Sequence, residues 1–386
     1  MDWPHSFLLY VVLLVAVALG YVLGRRERRK KRPQDAVIKD YYQGLNILLG
    51  DRPELGVDRF IQAMEVSDDS IDVHLALAGV VRRRGEVDKA IRIHQNLLAN
   101  PSLSPVNKQL IEFELARDYH AAGLLDRSES LLTQIVDRKT LQSKQAAELL
   151  LDIYEQEKDW ARAIEIGARF ASSDSELRAR LLHFHCEAGK ICLEQGEIKR
   201  AIEHSRAALS LDGTNPRGHW FAAEIDYARK RYKNVLRHLR RVVELDPGLA
   251  AEVLDLYATA AQNQGQESAF LEFLDQSARR TSSAPMLEAV MEHRRRHGLP
   301  LDDEEIFRLI AREPRFEHLA ILLELLNRNV GEPETQIKKI LAEIVINTQV
   351  YQCGNCGFPA QSHMWHCPTC KRWGSFVRQS SQARRG

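Results

Sequence analysis

Cys353 and Cys356 form one C-x-x-C near the C-terminus, Cys367 and Cys370 form another, and ten residues separate the pairs. Two such knuckles each present two thiolates from a tight turn, and together they supply the tetrahedral four-sulfur shell that zinc or iron takes. Gly354 and Gly357 let the backbone curl around the first pair, and Pro368 stiffens the turn that presents the second. A disulfide pair and an exchanging dithiol are the rival chemistries, but the doubled spacing fits a closed structural metal site better than either. His363 and His366 are bystanders on the intervening loop, because four thiolates already complete a shell. His183 and Cys186 share a helix face at i, i+3, yet no further ligand stands at recognisable spacing from them. No phosphate-cradling loop, zinc-protease helix, nucleophile elbow or dinucleotide fingerprint occurs, so the expectation is a protein that is not an enzyme.

The elements that position the cysteines begin at the other end of the chain. Phe7 to Gly24 carries no charge and is dominated by Leu, Val and Ala, enough to cross a bilayer as one helix. The only charged residue before it is Asp2, so it lacks the basic start of a cleaved signal peptide. The run Arg25, Arg26, Glu27, Arg28, Arg29, Lys30, Lys31, Arg32 follows, and its positive charge predicts that everything C-terminal stays in the cytoplasm. Thiols there are kept reduced. Those first 32 residues hold seven basic and two acidic side chains, which leaves 47 basic against 51 acidic in the remainder. A mildly acidic body is a poor binder of nucleic acid.

Between anchor and cysteines the chain repeats itself. GEVDKAIRIHQNLLANP from Gly85 recurs in altered form from Gly123, Lys158, Gly196 and Lys230, at a period of 34 to 38 residues. An apolar helical segment precedes each copy: LALAGVV, LARDYHAAG, LLLDIYEQ, AGKICLEQ and AAEIDYARK. A helix, a tight turn and a second helix with a small residue where the pair cross is the tetratricopeptide unit, which residues 37–280 resemble. Taking the crossing position as Gly56, Ala90, Ser128, Ala163, Ala201, Val235 and Phe270 gives about seven repeats, with the last two degenerate. The expected organisation is an anchor at 1–24, a basic linker at 25–36, repeats at 37–280, divergent helical hairpins at 281–348 and a metal module at 349–386. In fold class this is an all-α tetratricopeptide solenoid with an N-terminal transmembrane helix and a small C-terminal rubredoxin-like zinc ribbon.

Tetratricopeptide arrays bind partners on a concave face lined by the first helix of each pair. Carrying the family's groove positions onto this sequence gives Tyr41, Leu45 and Leu48, then Leu75, Arg82 and Arg83. Next come Phe113, Arg117 and His120, then Glu148, Asp152 and Glu155, and finally Trp220, Glu224 and Tyr227. A basic section precedes an acidic one, with aromatics at both flanks. That character suits an extended protein segment of mixed charge. Trp365, Trp373 and Phe376 around the knuckles either stack bases, as in nucleic-acid-binding ribbons, or form the small module's core and its contact with a neighbouring domain.

Anchor, basic flank, repeats and a terminal C-G-x-C-G…W-x-C-P-x-C-x-x-W-G together resemble the lipopolysaccharide assembly protein B family of Gram-negative bacteria over essentially the whole chain. The matching residues are Cys353, Gly354, Cys356, Gly357, Trp365, Cys367, Pro368, Cys370, Trp373 and Gly374. Lys371 stands where rubredoxins usually place glycine, and the insert between the pairs is far shorter than in those electron carriers. One tetrathiolate site holding zinc or iron is expected, with zinc favoured for so closed a site. The resemblance implies a single-pass inner-membrane adaptor with a cytoplasmic body that restrains lipopolysaccharide synthesis. Its implied partners are a membrane-bound ATP-dependent zinc metalloprotease, the UDP-3-O-acyl-N-acetylglucosamine deacetylase of the lipid A pathway that the protease degrades, and an inner-membrane regulator that senses lipopolysaccharide. An iron redox or electron-transfer protein and a nucleic-acid-binding zinc ribbon are the alternatives, and a homodimer stays open.

Overall fold

The computed structural model describes residues 70–300 other than 173, then 302–312, 316–326 and 351–378, with 15, 17 and 68 as isolated residues. The apolar run at 7–24, Tyr41, Gly56 and the linker at 25–36 lie outside the described residues, apart from the helical and exposed Val15 and Val17. Among the described residues, no helix is long and apolar enough to cross a membrane. The chain divides into two compact units, residues 1–153 and 154–386.

In the first unit, α1 (Ile71–Arg83), α2 (Val87–Leu98), α3 (Pro105–Ala121) and α4 (Leu125–Asp137) form consecutive helical hairpins, and α5 (Ser143–Glu157) runs across the division. Local sequence sets the boundaries. Ser104 caps α3 by accepting a hydrogen bond from the Asn107 amide (3.3 Å), with Pro105 at the first helical position. The α1–α2 turn passes through Gly85 at φ +85°, where its amide and that of Glu86 close on the Arg82 and Val81 carbonyls. Ile71, Leu77, Val81, Ile93, Leu97 and Ile111 make the apolar core around Ala90, which is fully buried. Burying each large aliphatic there contributes ~1.5–3 kcal/mol. Ser128 fills the equivalent position between α3 and α4, and its hydroxyl donates to the Ala116 carbonyl (2.8 Å), so a polar side chain is accommodated without an orphan.

The second unit continues with α6 (Trp160–Phe170), α7 (Ser175–Glu194), α8 (Ile198–Leu211), α9 (Pro216–Ala228) and α10 (Tyr232–Leu245). After a 3₁₀ turn at Pro247–Leu249 come α11 (Leu254–Gln264), α12 (Glu267–Thr281), α13 (Ala284–Arg296), α14 (Asp303–Arg312) and α15 (Leu319–Leu326). Ala163 and Ala201 are fully buried at their helix crossings, and so is the bulkier Val235. Phe270 is half-buried and stacks on Tyr257 at 6.1 Å. The hairpin turns at Lys158 and Lys230 adopt the left-handed backbone, both at φ +57°, that glycine supplies in the other repeats. Beyond 350 the chain switches to a three-stranded antiparallel sheet of order β2-β1-β3, with β1 Tyr351–Cys353, β2 Pro359–Ala360 and β3 Phe376–Arg378. Tyr351 faces Ala360 and Arg378, and Cys353 faces Phe376.

Candidate metal centre

Each cysteine pair sits on the same backbone turn. After Cys353 at the end of β1, the Gly357 amide closes on the Cys353 carbonyl (2.9 Å) with Gly357 at φ +76°. After Cys367, the Lys371 amide closes on the Cys367 carbonyl (3.0 Å) with Lys371 at φ +58°. The turns face each other, so Cys353 Sγ lies 3.6 Å from Cys370 Sγ, and Cys356 Sγ 3.6 Å from Cys367 Sγ. All four sulfurs fall within 4.8 Å of one another. Four thiolates about 2.3 Å from one tetrahedral ion stand roughly 3.8 Å apart, so the donor set fits zinc or iron. Desolvation raises the Cys353 thiol, but hydrogen bonds from Ser375 and from the Cys356 and Asn355 amides outweigh it and lower its pKa to about 6. Such donors favour the thiolate, the form that binds metal. Cys353 and Cys367 are buried, Cys370 is half-buried and Cys356 is exposed. Four protein ligands leave no open coordination position for a substrate.

The ribbon's own core is Tyr351, Cys353, Cys367 and Phe376. A module this small gains further stability from the helices it rests on. Trp373 stacks on His183 of α7 (centroids 4.8 Å, planes 12° apart) and on the ribbon's own His366 (4.4 Å). Its indole N–H donates to the Glu155 carboxylate (3.2 Å), which also accepts from Arg180 (2.8 Å). Burial raises the Glu155 pKa, but the bonds from His366, Arg180 and Trp373 prevail and hold it below the usual range. The Arg217 guanidinium lies 4.8 Å from the Trp373 ring centre and 5.5 Å from that of Trp365. Arg217 also donates to His183 Nδ1 (2.8 Å), and a guanidinium cannot accept, so the His183 proton sits on Nε2. Trp365 meets Trp220 edge to face at 5.9 Å. Two polar ties complete the seam: the Tyr351 hydroxyl donates to Glu252 (2.6 Å) and Arg378 donates to Glu317 (3.2 Å).

Residues 351–378 match the family model for the rubredoxin metal binding domain. Lipopolysaccharide assembly protein B of Escherichia coli strain K12 is 30% identical over 380 residues, covering 95% of this chain and 96% of that relative. The chain belongs to the lipopolysaccharide assembly protein B family. A family relative of the same description from Haemophilus influenzae is 26% identical over 395 residues, covering 97% of this chain and 98% of its own length. Slighter likenesses among solved structures include MamA AMB-1 (TM-score 0.33, 19% identity, 47% of this chain and 94% of that one) and the Assembly Chaperone of RpL4 (TM-score 0.34, 13% identity, 59% and 96%). Scores this low carry no weight for the fold, which rests on the helices described above.

Within this family member, the groove positions read from the sequence have varied surroundings. Glu155 and Trp220 face the ribbon through Trp373 and Trp365, so neither is an open groove residue. Tyr227 is exposed and packs edge to face on Tyr232 at 6.0 Å. In the first unit, Arg82 is committed to Glu114 and Asp118, each at 2.8 Å, and Asp118 in turn meets the buried His94. Arg117 pairs with Glu114 at 2.7 Å, while Phe113 is buried. Arg83 and Asp152 are exposed, and His120 and Glu148 are half-buried. Tyr41 lies outside the described residues. His363 and His366 are not among the clustered sulfur ligands: His363 packs on Trp365 and Tyr351 within the ribbon, and His366 stacks on Trp373 and lies 3.5 Å from the Glu155 carboxylate. His183 belongs to the seam, where its Nδ1 accepts from Arg217, and among the described residues the only cluster of three or more metal-capable side chains is the ribbon's four cysteines. Arg180, Arg217 and Glu252 were not found from the sequence, and no local pattern singles them out among the chain's many charged residues.

Proposed function

We propose that this protein is a membrane-anchored cytoplasmic adaptor that regulates lipopolysaccharide biosynthesis and supports envelope assembly. It brings the UDP-3-O-acyl-N-acetylglucosamine deacetylase to a membrane-bound ATP-dependent metalloprotease for degradation, under an inner-membrane regulator that senses lipopolysaccharide. The observation that carries this reading is family membership across 95% of the chain, with relatives named for lipopolysaccharide assembly. The apolar run from Phe7 to Gly24 and the basic flank after it supply the single-pass inner-membrane anchor. Tethering confines the helical body to the surface the protease shares, which raises effective concentration and lets weak contacts suffice. The tetrathiolate centre holds zinc as a structural ion, and the family's part in this pathway is that of a non-enzymatic scaffold. Of the sequence-derived groove residues, Arg83, Asp152 and Tyr227 are exposed.

The test is the half-life of the deacetylase after acute depletion of this protein, with and without the membrane protease. Protease-dependent turnover that slows on depletion is expected. An unchanged half-life would reject the adaptor role in proteolysis.

A further inference from the structure

Two histidine pairs recur one repeat apart. His185 of α7 faces His204 of α8 with their Nδ1 atoms 3.1 Å apart, and His219 of α9 faces His238 of α10 with Nδ1 atoms 3.2 Å apart. His219 follows His185 by 34 residues and His238 follows His204 by 34, one tetratricopeptide period. The ring centroids are 5.4 Å and 5.5 Å apart, so the second hairpin reproduces the arrangement of the first. All four rings are half-buried.

The backbone is built to permit this. Gly189, one turn beyond His185, packs so closely that a Cβ there would lie 2.9 Å from the His204 Cβ and 2.5 Å from the Phe221 ring. Its counterpart one repeat on is the fully buried Ala223. At the second pair the proton is placed by geometry. His219 Nε2 lies 3.0 Å from the Gly213 carbonyl, which can only accept, so Nε2 carries the hydrogen and the neutral ring keeps its Nδ1 lone pair facing His238. A metal-binding imidazole is commonly oriented in this way, with its far N–H given to a carbonyl.

We propose that His185 with His204, and His219 with His238, are two bidentate sites for a late first-row divalent transition ion of the nickel, copper or zinc class. Two imidazole nitrogens bound at about 2.0–2.1 Å to one ion stand roughly 2.9–3.4 Å apart for angles near 90–110°, and both observed separations fall in that range. Imidazole pairs suit these ions, and water completes the shell. A bound ion would cross-link the two helices of each hairpin. The sites are separate from the tetrathiolate centre and do not depend on the adaptor reading.

The test uses the full chain in detergent, its ribbon loaded with zinc, titrated with Ni²⁺ in a calorimeter. His204→Ala and His238→Ala are each expected to remove about one bound ion and the double variant about two, with zinc content and helical circular dichroism unchanged. Equal Ni²⁺ uptake by wild type and double variant would overturn the proposal and leave the pairs as neutral hydrogen-bonded rings. Should a variant misfold, anomalous scattering from nickel-soaked wild-type crystals decides the same question: nickel between the paired rings sustains the assignment, and its absence there rejects it.

Discussion

Lys371 holds a backbone conformation that costs a side chain about 1–2 kcal/mol and glycine almost nothing. Its counterpart in the first knuckle, Gly357, makes the same turn without that cost. Lys371→Gly should therefore stabilise the ribbon by about 1 kcal/mol, seen as slower zinc transfer to a competing chelator. An unchanged rate would mean that the His366 ring, whose Nε2 lies 3.0 Å from the Lys371 carbonyl, already fixes the turn. Trp373 is the opposite case. It joins Glu155, His183, Arg217 and His366 in one contact set, so Trp373→Ala removes the centre of the seam while leaving all four thiolates. The expected loss is about 2–4 kcal/mol of docking, read as faster proteolysis within 351–378 at unchanged zinc content.

At the level of helix pairs, the close approach of α7 to α8 and α9 rests on Gly189. Gly189→Ala places a methyl where the Phe221 ring lies 2.5 Å away, and neither α7 nor α9 can shift without moving its neighbours. Destabilisation of about 1–3 kcal/mol is expected as a lower urea midpoint. Ala at the equivalent Ala223 shows that the fold accepts a methyl where spacing allows it. A neutral result at Gly189 would show that Phe221 can rotate away.

Stripping the metal leaves four sulfurs converging within 4.8 Å with no ion to hold them together, so the ribbon should unfold while the helices persist. Tryptophan fluorescence should shift red as Trp365 and Trp373 leave their partners, with little change in helical circular dichroism. Loss of both signals together would mean that the helices need the ribbon in order to fold. Acid should act differently. Burial is the first cause lowering the pKa values of His183, His185, His204 and His238, and His185 falls to about 4. Each ring binds a proton less readily folded than unfolded, so the stability they contribute is complete above about pH 6.5 and declines as pH falls below it, for His185 toward about 4. Urea midpoints with zinc stoichiometric to the four cysteines should drop between pH 7.5 and 5.5, and His185→Gln should flatten the decline. A pH-independent midpoint would contradict the burial assigned to these rings.

The C-x-x-C spacing, the 34-to-38-residue repeat and the small residues at 90, 128, 163 and 201 were legible because each follows from local geometry. A knuckle needs only its own turn, and a helix crossing needs only a side chain small enough to fit. The left-handed turns at Lys158, Lys230 and Lys371 were less visible, since lysine does not announce that conformation. Tertiary structure alone decided what the ribbon rests on. Glu155 lies 218 residues from Trp373, and Tyr351 lies 99 from Glu252. Nothing in the residue types at either end encodes those pairings, because docking depends on how several hairpins stack against one another. For the same reason Glu155 and Trp220, which periodicity places on a binding face, are covered by the chain's own C-terminal module. Periodicity assigns a face to each helix, but only the packed molecule determines what occupies it.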